Sequence, residues 1–307
     1  RPLMNLRPGY LTFGEGEGSG LRHLQADSHL IAWLETKGYH YDLITDQELH
    51  QEGLDSIRDY PVVCTGSHPE YHTRETLNAL QGYRDQGGRL IYLGGNGFYW
   101  RVALSTQTPG MIEIRRAESG IRAWAAEPGE YYHAFDGAYG GLWRRNGRPP
   151  QKLVGIGFSA QGKFEGSYYR RTPESKDPQV SWLFDGIEDE ILGDFGLSGG
   201  GAAGFELDRA DTRLGTPDDV WVVARSENHQ SSFVLVPEEL LTHITNWPGE
   251  EEEKLIRADM VYFQTPQGGA VFSTGSITFC GSLPWNNFEN NISRLLSNVL
   301  NRFLSTT

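Results

Sequence analysis

The stretch that decides the fold is residues 61–97, "PVVCTGSHPEYHTRETLNALQGYRDQGGRLIYLGGNG". Pro61–Cys64 reads as a strand, and Arg74–Gln86 reads as a helix with Leu77, Leu80 and Tyr83 on one face. Gly87-Gly88 stops that helix, and Arg89–Leu93 is the next strand. Strand, helix and strand in this order predict a parallel sheet with right-handed crossovers. Upstream, Leu30, Ile31, Trp33 and Leu34 give Gln25–Thr36 a helical spacing, Gly38 stands where a helix stops, and Tyr41–Ile44 reads as another strand. Downstream, Val220–Ala224, Phe233–Val236, Met260–Phe263 and Ala270–Ser273 read as strands. A closing helix over 290–304 carries Leu295, Leu296, Val299, Leu300 and Phe303 on its apolar stripe. Between Ser105 and Pro217 the chain turns glycine-rich and aromatic-rich. The reading is therefore an α/β core over 1–104 and 218–307, with an irregular insertion of short strands and loops over 105–217 that contributes to the pocket.

The chain has 307 residues, with 27 Lys and Arg against 40 Asp and Glu, a net charge of −13. Without a basic cluster it offers no footprint for nucleic acid or for an anionic membrane. The two cysteines, Cys64 and Cys280, sit in apolar strand-like runs and read as buried thiols of a reducing compartment, which points to the cytoplasm. No apolar run is long enough to span a bilayer. A start at Arg1 suggests a C-terminal piece of a longer chain.

In an open parallel sheet, ligands bind beyond the carboxyl ends of the strands. Two such ends carry unusual loops, "GSHPEY" (66–71) and "GGNGFYW" (94–100). One helix connects them, so Ser67, His68, Glu70 and Tyr71 should face Asn96, Tyr99 and Trp100. The plainer reading makes Pro69 and the glycines turn formers. Cys64 lies within its strand and lacks the glycine-flanked elbow of an amidotransferase nucleophile. "GEGEGSG" (14–20) carries two glutamates that would repel a pyrophosphate. Zinc-ligand spacing is absent. "AEPGEYYHAFDG" (126–137) adds Glu127, Glu130, His133 and Asp136. Tyrosine and carboxylate oxygens are hard donors suited to Fe(III), so Tyr71, Tyr99 and a glutamate could hold one iron, although tyrosines more often pack.

Across "TGSHPEY", "GGRLIYLGGNGFYW", "EPGEYYHAF", "GDFGLSGGGAAGFELDRAD" and "GGAVFSTGS" the chain resembles the C-terminal domain of the N,N-dimethylformamidase large (beta) subunit family. The resemblance implies a class I glutamine-amidotransferase-like, flavodoxin-like fold without the cysteine nucleophile. It implies a mononuclear, ferric iron held by two tyrosines and one glutamate, for which Tyr71, Tyr99 and Glu130 are the expected ligands, with Glu127 the alternative to Glu130. It implies hydrolysis of a small N-substituted amide to formate and an amine, with a small subunit and homo-oligomers as partners. Asn146, Lys163 and Asp194 fall at spacings compatible with pocket residues of that family. Ser67, His68 and Asn96 are the expected hydrogen-bond donors to the tetrahedral intermediate, and Asp194 or His133 the expected proton carrier. Where the family carries a glutamate in "FETP", this chain has Gln264 in "FQTP", and a glutamine cannot serve as a general base. The alternatives are a non-catalytic module binding a small molecule or carbohydrate through its aromatic residues, and a structural domain of a larger subunit.

Overall fold

A computed structural model describes residues 23–116, 129–238 and 251–305. Helix α1 (Leu24–Lys37) ends at Gly38, whose φ of 76° lets its N–H return to the carbonyls of Leu34 and Glu35. Residues 41–44 form no strand, and Leu43 is 72% exposed. The apolar pattern there has no partner strand among the described residues, and Thr45 instead opens helix α2 (Asp46–Glu52) through a reciprocal capping box with Glu48.

The deciding stretch folds as strand β1 (Val62–Cys64), the short strand β2 (Tyr71–His72), helix α3 (Arg74–Asp85) and strand β3 (Arg89–Tyr92). The Thr73 hydroxyl caps α3 by accepting from the Thr76 N–H. Strands β4 (Trp100–Leu104) and β5 (Ile112–Ile114) form a small sheet with β2. Then follow helix α4 (Pro150–Val154), strands β6 (Gly157–Arg171), β7 (Ile191–Leu192), β8 (Ala203–Arg209), β9 (Trp221–Glu227) and β10 (Val234–Leu235), and helix α5 (Glu252–Leu255). Strands β11 (Asp259–Gln264) and β12 (Ala270–Ser273) and helix α6 (Asn291–Ser305) close the chain.

The main sheet runs β1-β3-β12-β11-β9-β6-β10, with β7 and β8 also paired to β6. Only β1, β3 and β12 are parallel neighbours; β12–β11, β11–β9 and β9–β6 are antiparallel. The sheet is therefore mixed where a parallel one was expected. The reason lies in the connection 265–269: five residues can turn a hairpin but cannot make the crossover that parallel strands need. Strands β6 and β8, inside the segment expected to be an insertion, belong to this same sheet. The 15 residues of β6 pair with β9 at one end and with β8 and β10 towards the other.

Alternation along the strands builds a layer on each face of the sheet. Ile91, Leu93 and Phe272 point to the cluster holding Trp33 of α1 and Leu295, Leu296, Val299 and Phe303 of α6. Leu90, Tyr92 and Val271 point to the opposite cluster, with Leu77, Leu80 and Tyr83 of α3. Each such side chain, fully buried, contributes about 1.5–3 kcal/mol of transfer free energy. Cys280 is buried as expected, but Cys64 is exposed, because β1 is the sheet edge.

Candidate active site

Because β1 and β3 are parallel, the loops that follow them leave the same edge, and backbone hydrogen bonds lace them together. Gly95 N–H donates to the Ser67 carbonyl at 3.3 Å, Phe98 N–H to Pro69 at 2.7 Å, and the Tyr99 and Trp100 N–H groups to Glu70 at 3.0 Å each. The approach is close enough to need glycine: a Cβ on Gly95 would lie 2.5 Å from the Glu206 carbonyl oxygen.

Strand β8 brings two acids against these loops. Its pairing with β6 is irregular between Gln161 and Gly166, and Phe205 has a φ of 64°. Two residues apart on β8, Glu206 and Asp208 both reach Asn96, whose φ of 51° lies in the left-handed region that asparagine tolerates. One nitrogen, Nδ2 of Asn96, donates to Glu70 Oε1 at 3.3 Å and to Glu206 Oε2 at 3.2 Å. His68 joins the same group, with Nε2 at 2.9 Å from Glu70 Oε2, and Nδ1 at 2.9 Å from the Gly95 carbonyl and 3.6 Å from Glu206. Both ring nitrogens face acceptors, so both carry protons and the ring is an imidazolium. Burial alone would lower its pKa, but the bond to Glu70 and the charges of Glu206 and Glu70 outweigh burial and raise it to about 9. The result is two carboxylates, one imidazolium and one amide, all nearly buried, at the mouth of the sheet.

Residues 1–291 match the family model described as N,N-dimethylformamidase beta subunit-like, C-terminal. The N,N-dimethylformamidase beta subunit of Paracoccus aminophilus is 43% identical over 305 residues, and that of an Alcaligenes species is 42% identical over 305. The chain belongs to the N,N-dimethylformamidase beta subunit-like family. Each alignment covers 99% of this chain and 39% of the relative, so the chain spans about two fifths of the length of the beta subunits it matches.

Within this family member, the expected site residues meet different fates. His68 and Asn96 come together as expected. Ser67 is wholly buried, and its hydroxyl donates to Asp27 Oδ1 at 2.9 Å. Tyr71 stands at the rim, 39% exposed, with its hydroxyl accepting from Arg116 at 3.2 Å. Burial first, and then the charge of Glu70, raise its pKa. Tyr99 lies in an apolar cluster with Trp100, Leu142, Phe158 and Val236, its ring set edge-on to Trp100 and Phe158. Glu130 is exposed, and its backbone carbonyl accepts from Arg115. Glu127 lies outside the described residues.

His133 is buried beside Asp136, at 3.7 Å, in the turn between Tyr132 and Tyr139. Burial is the main reason its pKa is lowered. Asp194 is exposed in a separate cleft with Glu165, Tyr168, Asn228 and His229. The Asn146 amide caps backbone carbonyls of Gly140 and Leu142, and Lys163 is exposed. Gln264 pairs with Ala270, which pairs with Arg89 at the start of β3, so it sits at the opposite edge of the sheet from the loops.

Sequence reading missed Glu206 and Asp208 and left Glu70 without a role. A signal existed in "FELD": two acids at strand spacing inside an apolar run. Among the described residues no group of three His, Cys, Asp and Glu side chains is arranged to hold a metal ion. Glu70 and the adjacent Tyr71 hydroxyl are nevertheless hard oxygen donors at the mouth, the chemistry that suits a hard cation. Also among the described residues, no helix is long and apolar enough to cross a membrane.

Proposed function

We propose that this chain carries the reaction centre of an amide hydrolase acting on a small N-substituted amide such as N,N-dimethylformamide, releasing formate and an amine. One observation carries the reading: Glu70 and Glu206 both accept from Asn96 Nδ2, and His68 lies between the same two acids. Such a set of paired, buried charges is costly to desolvate, and clusters of this kind concentrate at functional sites. Iron is the cofactor the family resemblance implies, and Glu70 with the Tyr71 hydroxyl would hold it. When bound, it would polarise the carbonyl and lower the pKa of water. The geometry favours these donors over Tyr99 and Glu130.

The remaining roles fall to the chain's own groups. Glu70 is bonded to the imidazolium at 2.9 Å, whereas Glu206 is 3.6 Å from it. With Glu70 assigned to the metal, Glu206, bonded to Asn96 Nδ2 at 3.2 Å, is the proton acceptor for an attacking water. Asn96 Nδ2 holds Glu70 and Glu206 in place, and the His68 imidazolium, its two N–H groups taken by Glu70 and the Gly95 carbonyl, stabilises negative charge developing on the amide oxygen through its positive field. His68 cannot act as a base while both its nitrogens are protonated. The small subunit and the rest of the beta subunit are its partners in assembly, as the relatives' naming as beta subunits suggests.

The test uses the full-length beta subunit assembled with its partner subunit. Glu206→Gln should lower formate release from N,N-dimethylformamide at least 100-fold while iron measured by mass spectrometry is unchanged. A variant that keeps the parent rate would overturn the proton-acceptor role.

A further inference from the structure

Behind the reaction centre stands a second, wholly buried pair that touches none of the four converging groups except through Asn96 and its neighbour. Asp208 Oδ1 accepts from the Asn96 backbone N–H at 2.7 Å, and Oδ2 accepts from the Tyr92 hydroxyl at 2.8 Å. That hydroxyl in turn accepts from the Gly97 N–H at 2.7 Å. Two consecutive amides of the loop, 96 and 97, are thus held by one acid–phenol pair, the first directly and the second through the phenol. Both side chains are 0% exposed. The phenol approaches so closely that a Cβ at position 97 would lie 2.6 Å from its oxygen.

We propose that Asp208, acting with Tyr92, is a positioning residue that aims the Asn96 amide at Glu70 and Glu206. This rests on the role given to Asn96 above. Three features carry the inference. The left-handed turn at Asn96, and again at Phe98 with a φ of 56°, is a conformation that non-glycine residues hold only when their surroundings fix it. The carboxylate fixes it at the backbone N–H, leaving the side-chain amide to Glu70 and Glu206. Lastly, Asp208 lies two residues from Glu206 on β8, and its own N–H is anchored to the Gly275 carbonyl at 2.9 Å. One strand therefore sets both the carboxylate that Asn96 bonds and the backbone from which its side chain projects. An isolated buried carboxylate would otherwise be a costly way to tie down a loop.

The experiment is a double-mutant cycle on the assembled full-length enzyme. Asp208→Asn should lower kcat about tenfold with KM within twofold and iron content unchanged, and amide hydrogen exchange at 96 and 97 should speed up. In an Asn96→Ala background the same change should have no further effect on kcat, because its whole action passes through Asn96. Should Asp208→Asn fail to fold, Tyr92→Phe takes its place: it keeps the ring packing and removes only the oxygen, and it should likewise be silent in the Asn96→Ala background. Losses that multiply across the cycle would overturn the positioning role while leaving that of Asn96 intact. A normal kcat for Asn96→Ala alone would instead remove the functional reading, and the positioning role with it.

Discussion

One carboxylate oxygen of Asp27 receives both the backbone N–H and the hydroxyl of Ser67, at 2.7 and 2.9 Å. A helix at the start of the described chain thereby clamps the loop that carries His68 and Glu70. Replacing Asp27 with Ala leaves both donors buried without an acceptor. The expected cost is about 2–3 kcal/mol, read as a lower midpoint in urea unfolding. Ser67→Ala should cost less, since only one donor is removed, and an Asp27→Ala midpoint equal to the parent's would count against the clamp.

A methyl group at position 95 meets the Glu206 carbonyl oxygen at 2.5 Å. Gly95→Ala therefore has to push β8 and the loop apart. Overpacking of this kind costs about 1–3 kcal/mol, and the displacement falls on the contacts between Asn96 and Glu206. Activity should drop more than stability alone explains, checked by assaying at a temperature where the variant is fully folded.

Gln264→Glu should leave formate release within twofold of the parent. The position lies three residue steps or more back along the sheet from the reaction centre, roughly 10 Å at 3.3 Å per residue. A large gain in rate from this single change would show that the carboxylate which matters is the one absent here, and the assignment of Glu206 would fall.

The dependence of stability on pH should have a contribution from His229. Ser226 Oγ lies 2.6 Å from its Nε2, its buried Nδ1 meets no partner among the described residues, and burial lowers its pKa to about 4. A histidine whose folded pKa lies below its unfolded value of about 6.5 takes up protons more readily when unfolded. Its contribution is complete above pH 6.5 and is lost as the pH falls towards 4. Between pH 7.5 and 5.0 the loss should be about 1–2 kcal/mol. Urea unfolding of His229→Gln at both pH values should show the difference shrink by that amount, with a remaining slope from His29, His72 and His133, which burial also lowers. An unchanged slope would assign the whole effect elsewhere.

How much of this was legible in the sequence depends on the range of the interaction concerned. Helix α3 and strand β3 could be read because Leu77, Leu80, Tyr83 and the glycines at 87 and 88 encode them locally. Residues 41–44 misled, since their apolar alternation describes a strand only if a neighbour pairs with it. The direction of β11 relative to β12 followed from the brevity of 265–269, a signal that was present and unused. At the reaction centre, His68 and Asn96 were legible because one helix links their loops. Glu206 was not: it reaches Asn96 through strand pairing across 110 positions, and no local pattern states which distant strand lies opposite which loop. Tyr99 misled for the converse reason. Its position in the loop was read correctly, but its surroundings were set by Phe158 and Val236, far along the chain.

The close approach at Gly95 and Gly97 has a consequence for how the proposed centre can diversify. With backbone carbonyl and phenol oxygens already at the limit of contact, the floor of the centre admits no larger residue, whatever substrate is to be accommodated. Tyr71 and Arg116, at the rim and linked by a single hydrogen bond, have no such restriction. Selection for a bulkier or more polar amide would act at the rim first, leaving the charged group beneath it as a fixed chassis on which different mouths can be mounted.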